Sequence, residues 1–313
     1  MMEIVGKTNI DFLGMRRVAF TISLILVFVG VVASVQIGRG RANLGIDFAG
    51  GTSVQVLFES PVDLAEIRNV LAGGGFADSE LQQFVGGRRL FIRVKSSGES
   101  VTGTAAAIEQ ALRQGLSGNP FVLESSNEVG PVIGRELQEA ALWAILISLI
   151  GIVSYIAWRF EFRFGIAATV ATFHDVLVVL GIFFLLGKEI TLLIVTALLT
   201  LAGYSLTDTV VVFDRIRENL RARRRGALVD IINASINEVL SRTIMTSLTT
   251  LLALLSIFLL GGEVLHDFSL ALIFGIIVGT YSSVFVASAL VYEWRIRARR
   301  PAVGVKKQAQ SLH

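Results

Sequence analysis

Cysteine is absent from the 313 residues. That excludes disulfides, thiolate metal sites, redox switches and cysteine nucleophiles. Histidine is almost absent: the three copies stand at 174, 266 and 313, too scattered for a histidine-cluster metal site, and no metal or other cofactor is expected. Charge is scarce as well. Only 17% of residues are Asp, Glu, Lys or Arg, against about 25% in soluble proteins. The pI is near 9.4, yet no basic stripe interleaved with aromatics exists, so nucleic acid is not an expected partner. Low-complexity segments and short internal repeats are also missing. What the chain has in excess is apolar surface: 53% of residues are hydrophobic and the mean hydropathy is +0.69. That surface must face something other than water, and a lipid bilayer is the obvious solvent.

A spanning helix needs about 20 mostly apolar residues. Six segments qualify: 18–37, 140–158, 165–186, 190–213, 244–260 and 268–292. The fifth is short and needs residues near Arg242 to reach the interface. Arg16 and Arg17 precede the first run as they would precede a signal peptide. The run is well beyond the roughly 7–15 residues of a signal core, and no small-x-small cleavage site follows it. A retained span is expected. Orientation follows from Lys and Arg in the short loops. Lys7, Arg16 and Arg17 precede the first span, and Arg159 and Arg163 follow the second. Arg215, Arg217, Arg221, Arg223, Arg224 and Arg225 follow the fourth. The tail carries Arg295, Arg297, Arg299, Arg300, Lys306 and Lys307. The opposite short loops, around 187–189 and 261–267, hold only Lys188. This asymmetry puts both termini in the cytoplasm of a multi-pass protein of the cell (inner) membrane, and residues 38–139 outside.

The outside segment reads as a folded domain. Val54, Val56 and Phe58 alternate as in a strand. Residues 63–72 carry Leu64, Ile67, Val70 and Leu71 at helical spacing. Leu81–Phe84 and Leu90–Val94 flank Gly86-Gly87, a hairpin signal. Residues 104–116 are helical again and Phe121–Glu124 is extended. The order β-α-β-β-α-β matches a ferredoxin-like α+β unit, with Gly50-Gly51 marking a bend at its start. Residues 226–241 differ in kind: Leu228, Ile231, Ile232, Ser235, Ile236, Val239 and Leu240 share one helical face. Two readings fit this amphipathic segment of the 214–243 loop, a helix on the cytoplasmic membrane surface or one packed against other parts of the protein.

Within the spans His174, Asp175 and Asp208 break the apolar pattern. A carboxylate at the bilayer centre costs at least about 2.5 kcal/mol on insertion scales. Asp175 sits mid-span; Asp208 lies five residues from the cytoplasmic end of its span, roughly 8 Å deep at helical rise. Each must face the bundle interior, be protonated or find a partner. Arg242, at the start of the fifth span, can reach Asp208 if spans four and five are neighbours. An Arg that approaches and withdraws would swing the carboxyl between ionised and protonated forms, as a proton-coupled switch requires. A structural ion pair is the simpler alternative. His174 fits a satisfied bundle histidine. Gly203, Tyr204, Ser205, Thr207 and Thr209, and the TIMTSLTT run at 243–250, supply small hydroxyl residues for close helix packing. Gly275 and Gly279 form a GxxxG. Asp214, Arg215, Arg217 and Glu218 read as a solvated interfacial cap.

At these residues the chain resembles a known family. Asn43-Leu44-Gly45-Ile46-Asp47-Phe48-Ala49-Gly50-Gly51-Thr52 is similar to the SecD/SecF signature. So are Phe173-His174-Asp175, the run from Thr207-Asp208-Thr209 to Phe213-Asp214-Arg215-Ile216-Arg217-Glu218-Asn219, and Ser241-Arg242-Thr243 with Thr246–Thr250. The FDRIREN form and a single outside domain resemble the SecF branch. The resemblance implies a relative of the resistance-nodulation-division transporters that pairs with SecD, each supplying six spans. It implies assistance to the SecYEG channel and SecA motor in preprotein export, driven by the proton gradient and not by enzyme chemistry. It implies that the outside domain engages emerging polypeptide, and it carries the family's proton-pathway Asp onto Asp208 and its membrane Arg onto Arg242. Asp175 matches a motif position and joins them as a proton-coupling candidate. The competing readings are a half-transporter for lipid or small molecules, an intramembrane aspartyl protease and a purely structural subunit. The protease is disfavoured because the two aspartates differ in depth by roughly 10 Å at helical rise and no GxGD string surrounds either.

Overall fold

The structure, a computed structural model, describes residues 8–41, 43–84, 86–95, 103–222 and 226–299. Lys7, Arg223, Arg224, Arg225, Arg300, Lys306, Lys307 and His313 lie outside the described residues. The chain divides into two compact units.

One unit, 42–145 with 189–192, carries a four-stranded sheet. In chain order it holds α2 (Ile46–Ala49), β1 (Gly51–Phe58), α3 (Leu64–Gly73), β2 (Glu80–Gln83), β3 (Arg89–Lys95), α4 (Thr104–Gly115) and β4 (Phe121–Val129), with α1 (Arg16–Gly38) preceding it in the other unit. The strands are antiparallel in the order β2-β3-β1-β4, the ferredoxin-like arrangement. Alternation in β1 places Val54, Val56 and Phe58 on one face, all fully buried against Ile67 and Leu71 of α3 and Ile108 and Leu112 of α4. Asp63 starts α3 by accepting the Ala65 N–H at 3.0 Å, the usual N-cap device. Gly86 and Gly87 turn the hairpin at φ 98° and 71°. Gly50 turns the chain into β1 at φ 76°, and a Cβ on Gly51 would stand 2.4 Å from the Val94 carbonyl oxygen.

The other unit contains helices α1, α5 (Pro131–Arg159, from Leu146 on), α6 (Phe162–Leu185), α7 (Leu192–Ala222), α8 (Leu228–Leu260), α9 (Gly262–Tyr281), a π-helical segment (Ser282–Ala287) and α10 (Ser288–Arg299). Among the described residues six stretches are long and apolar enough to cross a membrane, the sixth running through α9, the π segment and α10. Glycines set the close crossings. A Cβ on Gly30 would lie 2.1 Å from the Leu177 carbonyl oxygen, so α1 and α6 touch backbone to backbone there. Gly275 and Gly279 of the GxxxG lie against Leu201 and Ser205 of α7. Elsewhere α1 and α5 expose Leu24, Phe28, Trp143 and Ile147, as helices solvated by lipid should.

The amphipathic segment at 226–241 is the first half of α8, which runs unbroken into the fifth span. Its apolar face enters the core, with Ile232 and Ile236 fully buried beside Phe164, Phe213 and Ile216. Its polar face grips the chain ahead of α1. Asn233 receives the Leu13 N–H at 3.0 Å and donates to Asp11 at 2.7 Å, while Asn237 receives the Ile10 N–H and donates to the Ile10 carbonyl. Both faces of the segment are therefore engaged by protein.

Candidate functional site

Inside the helical unit the sequence-predicted carboxylates come together on the last span. Asp175 on α6 is fully buried. Its Oδ1 is 2.8 Å from His174 Nδ1, and its Oδ2 accepts hydrogen bonds from Ser205 of α7 and from Ser282 of the π segment, the latter at 2.7 Å. Asp208 on α7 is half-buried; Oδ1 accepts from Thr243 of α8 at 2.9 Å and Oδ2 from Ser283 at 2.5 Å. Helix geometry makes this possible: Ser205 and Asp208 are three residues apart, so both point from one face of α7. Ser282 and Ser283 are consecutive, so both carboxylates meet one level of the last span, closer than spacing along their own helices suggests.

Arg242 is placed differently. Thr243 touches Asp208, whereas no ion pair joins Arg242 to Asp208 among the described residues. Arg242 is exposed, close enough for its charge to act on Asp208, and lines an open cavity of about 500 Å³ with Asp214, Arg215, Glu218 and Glu238. The other charged residues of that cavity have ion-pair partners. Arg215 reaches Glu218 and Glu238 at 2.6 Å each, and Arg159 reaches Asp214 at 2.7 Å. His174 presents Nδ1 to Asp175 and keeps Nε2 buried, with no hydrogen-bond partner among the described residues.

Sequence reasoning missed Ser282 and Ser283, whose only signal is a Ser-Ser pair in an apolar run. It also missed a second polar cluster, in the sheet-bearing unit. There the connection between α6 and α7 adds a short parallel bridge, Ile190 with Leu44. The Ile190 N–H donates to the Asn43 carbonyl at 2.9 Å, the Gly45 N–H to the Ile190 carbonyl at 3.0 Å, and the Leu192 N–H to Asp47 Oδ2 at 2.9 Å. A Cβ on Gly45 would stand 2.6 Å from Thr191 Cγ2. The Asn43–Thr52 motif is thus a clamp on residues 189–192. Glu189, 8% exposed, contacts the Arg93 guanidinium and stands beside the Glu80 carboxyl. Lys95 donates to Glu80 at 3.2 Å and Asn43 at 3.0 Å. Burial and then the adjacent Glu80 push the Glu189 carboxyl up to about 7 against the pull of Arg93. Burial also lifts Glu80, but the neighbouring Glu189 carboxyl, the Lys95 hydrogen bond and the charges of Lys95 and Arg93 outweigh it and hold Glu80 below its ordinary value.

Six membrane-length helices among the described residues, a ferredoxin-like unit inserted after the first and carboxyl groups set between helices define a polytopic membrane protein. The family model for the protein export membrane protein SecD/SecF, C-terminal, matches residues 109–297, and that for the SecD/SecF GG motif matches residues 42–62. The protein translocase subunit SecF of Thermodesulfovibrio yellowstonii is 54% identical over 93% of this chain and 96% of its own. The protein translocase subunit SecF of Pseudomonas aeruginosa is 37% identical over 90% of each. The crystal structure of SecDF, a translocon-associated membrane protein from Thermus, superposes with a TM-score of 0.81 at 38% identity. It is matched over 93% of this chain, which spans only 39% of that longer one. The chain belongs to the SecD/SecF family of protein-export membrane proteins.

Proposed function

We propose that this chain is the SecF half of a SecD–SecF complex that uses the proton gradient to assist preprotein export through SecYEG and SecA, with Asp208, Arg242 and Asp175 as its coupling residues. In this reading both termini are cytoplasmic, the sheet-bearing unit is extracytoplasmic and meets emerging polypeptide, and SecD completes the membrane assembly.

The observation that carries the coupling role is the set of groups around Asp208. They are hydroxyls, Thr243 at 2.9 Å and Ser283 at 2.5 Å. A hydroxyl donates and accepts, so it satisfies a carboxylate and a carboxylic acid alike. A group that must load and release a proton within a membrane needs such neighbours, because a fixed cation would hold it in one state. Arg242 supplies a charge nearby without closing on it.

The test is export into inverted membrane vesicles with and without a proton gradient. Asp208→Asn keeps shape and hydrogen bonding but cannot titrate. It should lose the gradient-dependent part of export, leaving the protein folded and bound to SecD. Full gradient stimulation in Asp208→Asn would remove Asp208 as the coupling site and make Asp175→Asn the next variant to measure.

A further inference from the structure

The last span changes hydrogen-bonding register at Ser282–Ala287, a π-helical segment. Such segments are rare and frequent at functional sites. Its first two residues are the serines that meet the two carboxylates. Each hydroxyl also lies within reach of a main-chain carbonyl one turn back. Ser283 Oγ is 2.5 Å from Asp208 Oδ2 and 3.1 Å from the Thr280 carbonyl oxygen. Ser282 Oγ is 2.7 Å from Asp175 Oδ2 and 3.2 Å from the Gly279 carbonyl oxygen.

A serine hydroxyl carries one hydrogen. With Asp208 ionised, that hydrogen goes to the carboxylate, since a charge-assisted bond of this length is stronger than one to a neutral carbonyl. With Asp208 protonated, the carboxyl O–H donates to Ser283 Oγ, and the serine hydrogen is released to Thr280. The same exchange is open to Ser282 between Asp175 and Gly279. The carbonyls that gain or lose this bond stand at the junction where α-helix gives way to π-helix. Side chains at that junction hold other helices: Thr280 bonds Ser247 of α8 at 2.7 Å, and Tyr281 donates to the Ala19 carbonyl of α1 at 2.9 Å.

We propose that Ser283, and in parallel Ser282, are positioning residues that pass the protonation state of Asp208 and Asp175 to the backbone of the last span at Gly279 and Thr280. The inference rests on Asp208 being the proton carrier. The other groups facing Asp208 are Thr243 and, through its charge, Arg242, both from α8. Those facing Asp175 are His174 on its own helix and Ser205 from α7. Arg242 and His174 carry or can carry charge, so each can displace the midpoint of the exchange. Among the described residues neither hydrogen-bonds the Thr280 or Gly279 carbonyl, as Ser283 and Ser282 do.

The sequence allows a direct readout. Of the four tyrosines, only Tyr281 follows a threonine. Full-length protein labelled with carbonyl-13C threonine and 15N tyrosine therefore reports the Thr280 carbonyl alone by solid-state NMR in bilayers. From about pH 9 to about pH 2.5, spanning the ordinary carboxyl range, that carbon should move downfield as it gains a hydrogen bond. Its midpoint should match that of the Asp208 carboxyl carbon, assigned by its loss in Asp208→Asn. Ser283→Ala should abolish the movement and Ser283→Thr, which keeps the hydroxyl, should restore it. A Thr280 carbon that stays still while Asp208 titrates, or that still moves in Ser283→Ala, overturns the proposal and leaves the proton-carrier reading intact. An Asp208 carboxyl that does not titrate at all overturns both.

Discussion

Glu189 should make the clamp on the α6–α7 connection loosen as the pH rises. Its carboxyl is pushed from an ordinary 4.5 to about 7 by burial and by Glu80. Between those values the closed clamp holds a proton that the open one releases. The contribution is therefore full below about 4.5 and is lost as the pH rises through about 7. Glu80 acts in the opposite sense. Held below its ordinary value, it contributes above that value and its share is lost only in stronger acid. Clamp stability should peak in mild acid and fall toward neutrality by at most about 3 kcal/mol, since each tenfold change in proton affinity corresponds to about 1.4 kcal/mol. The observables are the amide hydrogens of Ile190 and Leu192, which bond to the Asn43 carbonyl and to Asp47. Corrected for intrinsic exchange rates, their protection in bilayer-embedded protein should fall by about two orders of magnitude from pH 5 to pH 8. Glu189→Gln keeps a neutral donor toward Glu80 and an acceptor toward Arg93. Protection in this variant should be flat across the same range. A wild-type profile as flat as that of Glu189→Gln would refute the reasoning.

Arg242→Lys keeps the charge but not the planar fork, and a partial loss of gradient-dependent export is expected in the vesicle assay. Gly30→Ala places a Cβ 2.1 Å from the Leu177 carbonyl oxygen. It should force α1 from α6 and cost about 1–3 kcal/mol, read as a lowered thermal unfolding temperature in detergent. For topology, Ser60→Cys should react with a membrane-impermeant thiol reagent from the outside and Ala222→Cys only from the cytoplasm. The natural chain has no cysteine to interfere, and the reverse pattern would invert the orientation drawn from the arginines.

Much of this architecture is written in local patterns. The period-two burial of Val54, Val56 and Phe58 and the helical spacing of Leu64, Ile67 and Leu71 are legible because each element has one dry face. Runs of lipid-solvated residues are plainer still, because every position must be apolar. The segment at 226–241 was ambiguous for a physical reason: an amphipathic helix has the same pattern whether lipid or protein covers its apolar face. Asn233 and Asn237 resolve it by bonding to residues 10–13, a contact more than 200 positions away in sequence. Asp175 and Asp208 stood out by the cost of charge in lipid. Ser282 and Ser283 did not, because a serine bonded to its own helix carbonyl is ordinary in a membrane span. Only the fold shows that two such serines also face two carboxylates. Glu189 was silent for a different reason: in a short loop it reads as a solvated charge until β2 and β3 bring Glu80 and Arg93 to it.

The placement of Arg242 bears on whether it and Asp208 form a structural tie or a switch. A tie that fixes α7 against α8 should be closed in the resting fold, because an uncompensated buried charge is costly. Here Thr243, one residue on, makes the contact with Asp208, and Asp208 is satisfied by hydroxyls. Arg242 remains exposed on the cavity that Glu238 and Asp214 also line, where solvent screens its charge. The two side chains are therefore each stable apart, which a switch requires and a tie does not. Arg242 and Thr243 stand about 100° apart around α8, so the arginine would reach Asp208 by a part rotation of α8 combined with extension of its long side chain. Such a rotation would also strain the Ser247–Thr280 bond that joins α8 to the start of the π-helical segment. Arginine approach from α8 and hydroxyl exchange in the last span would then be two ends of one movement, with Asp208 between them.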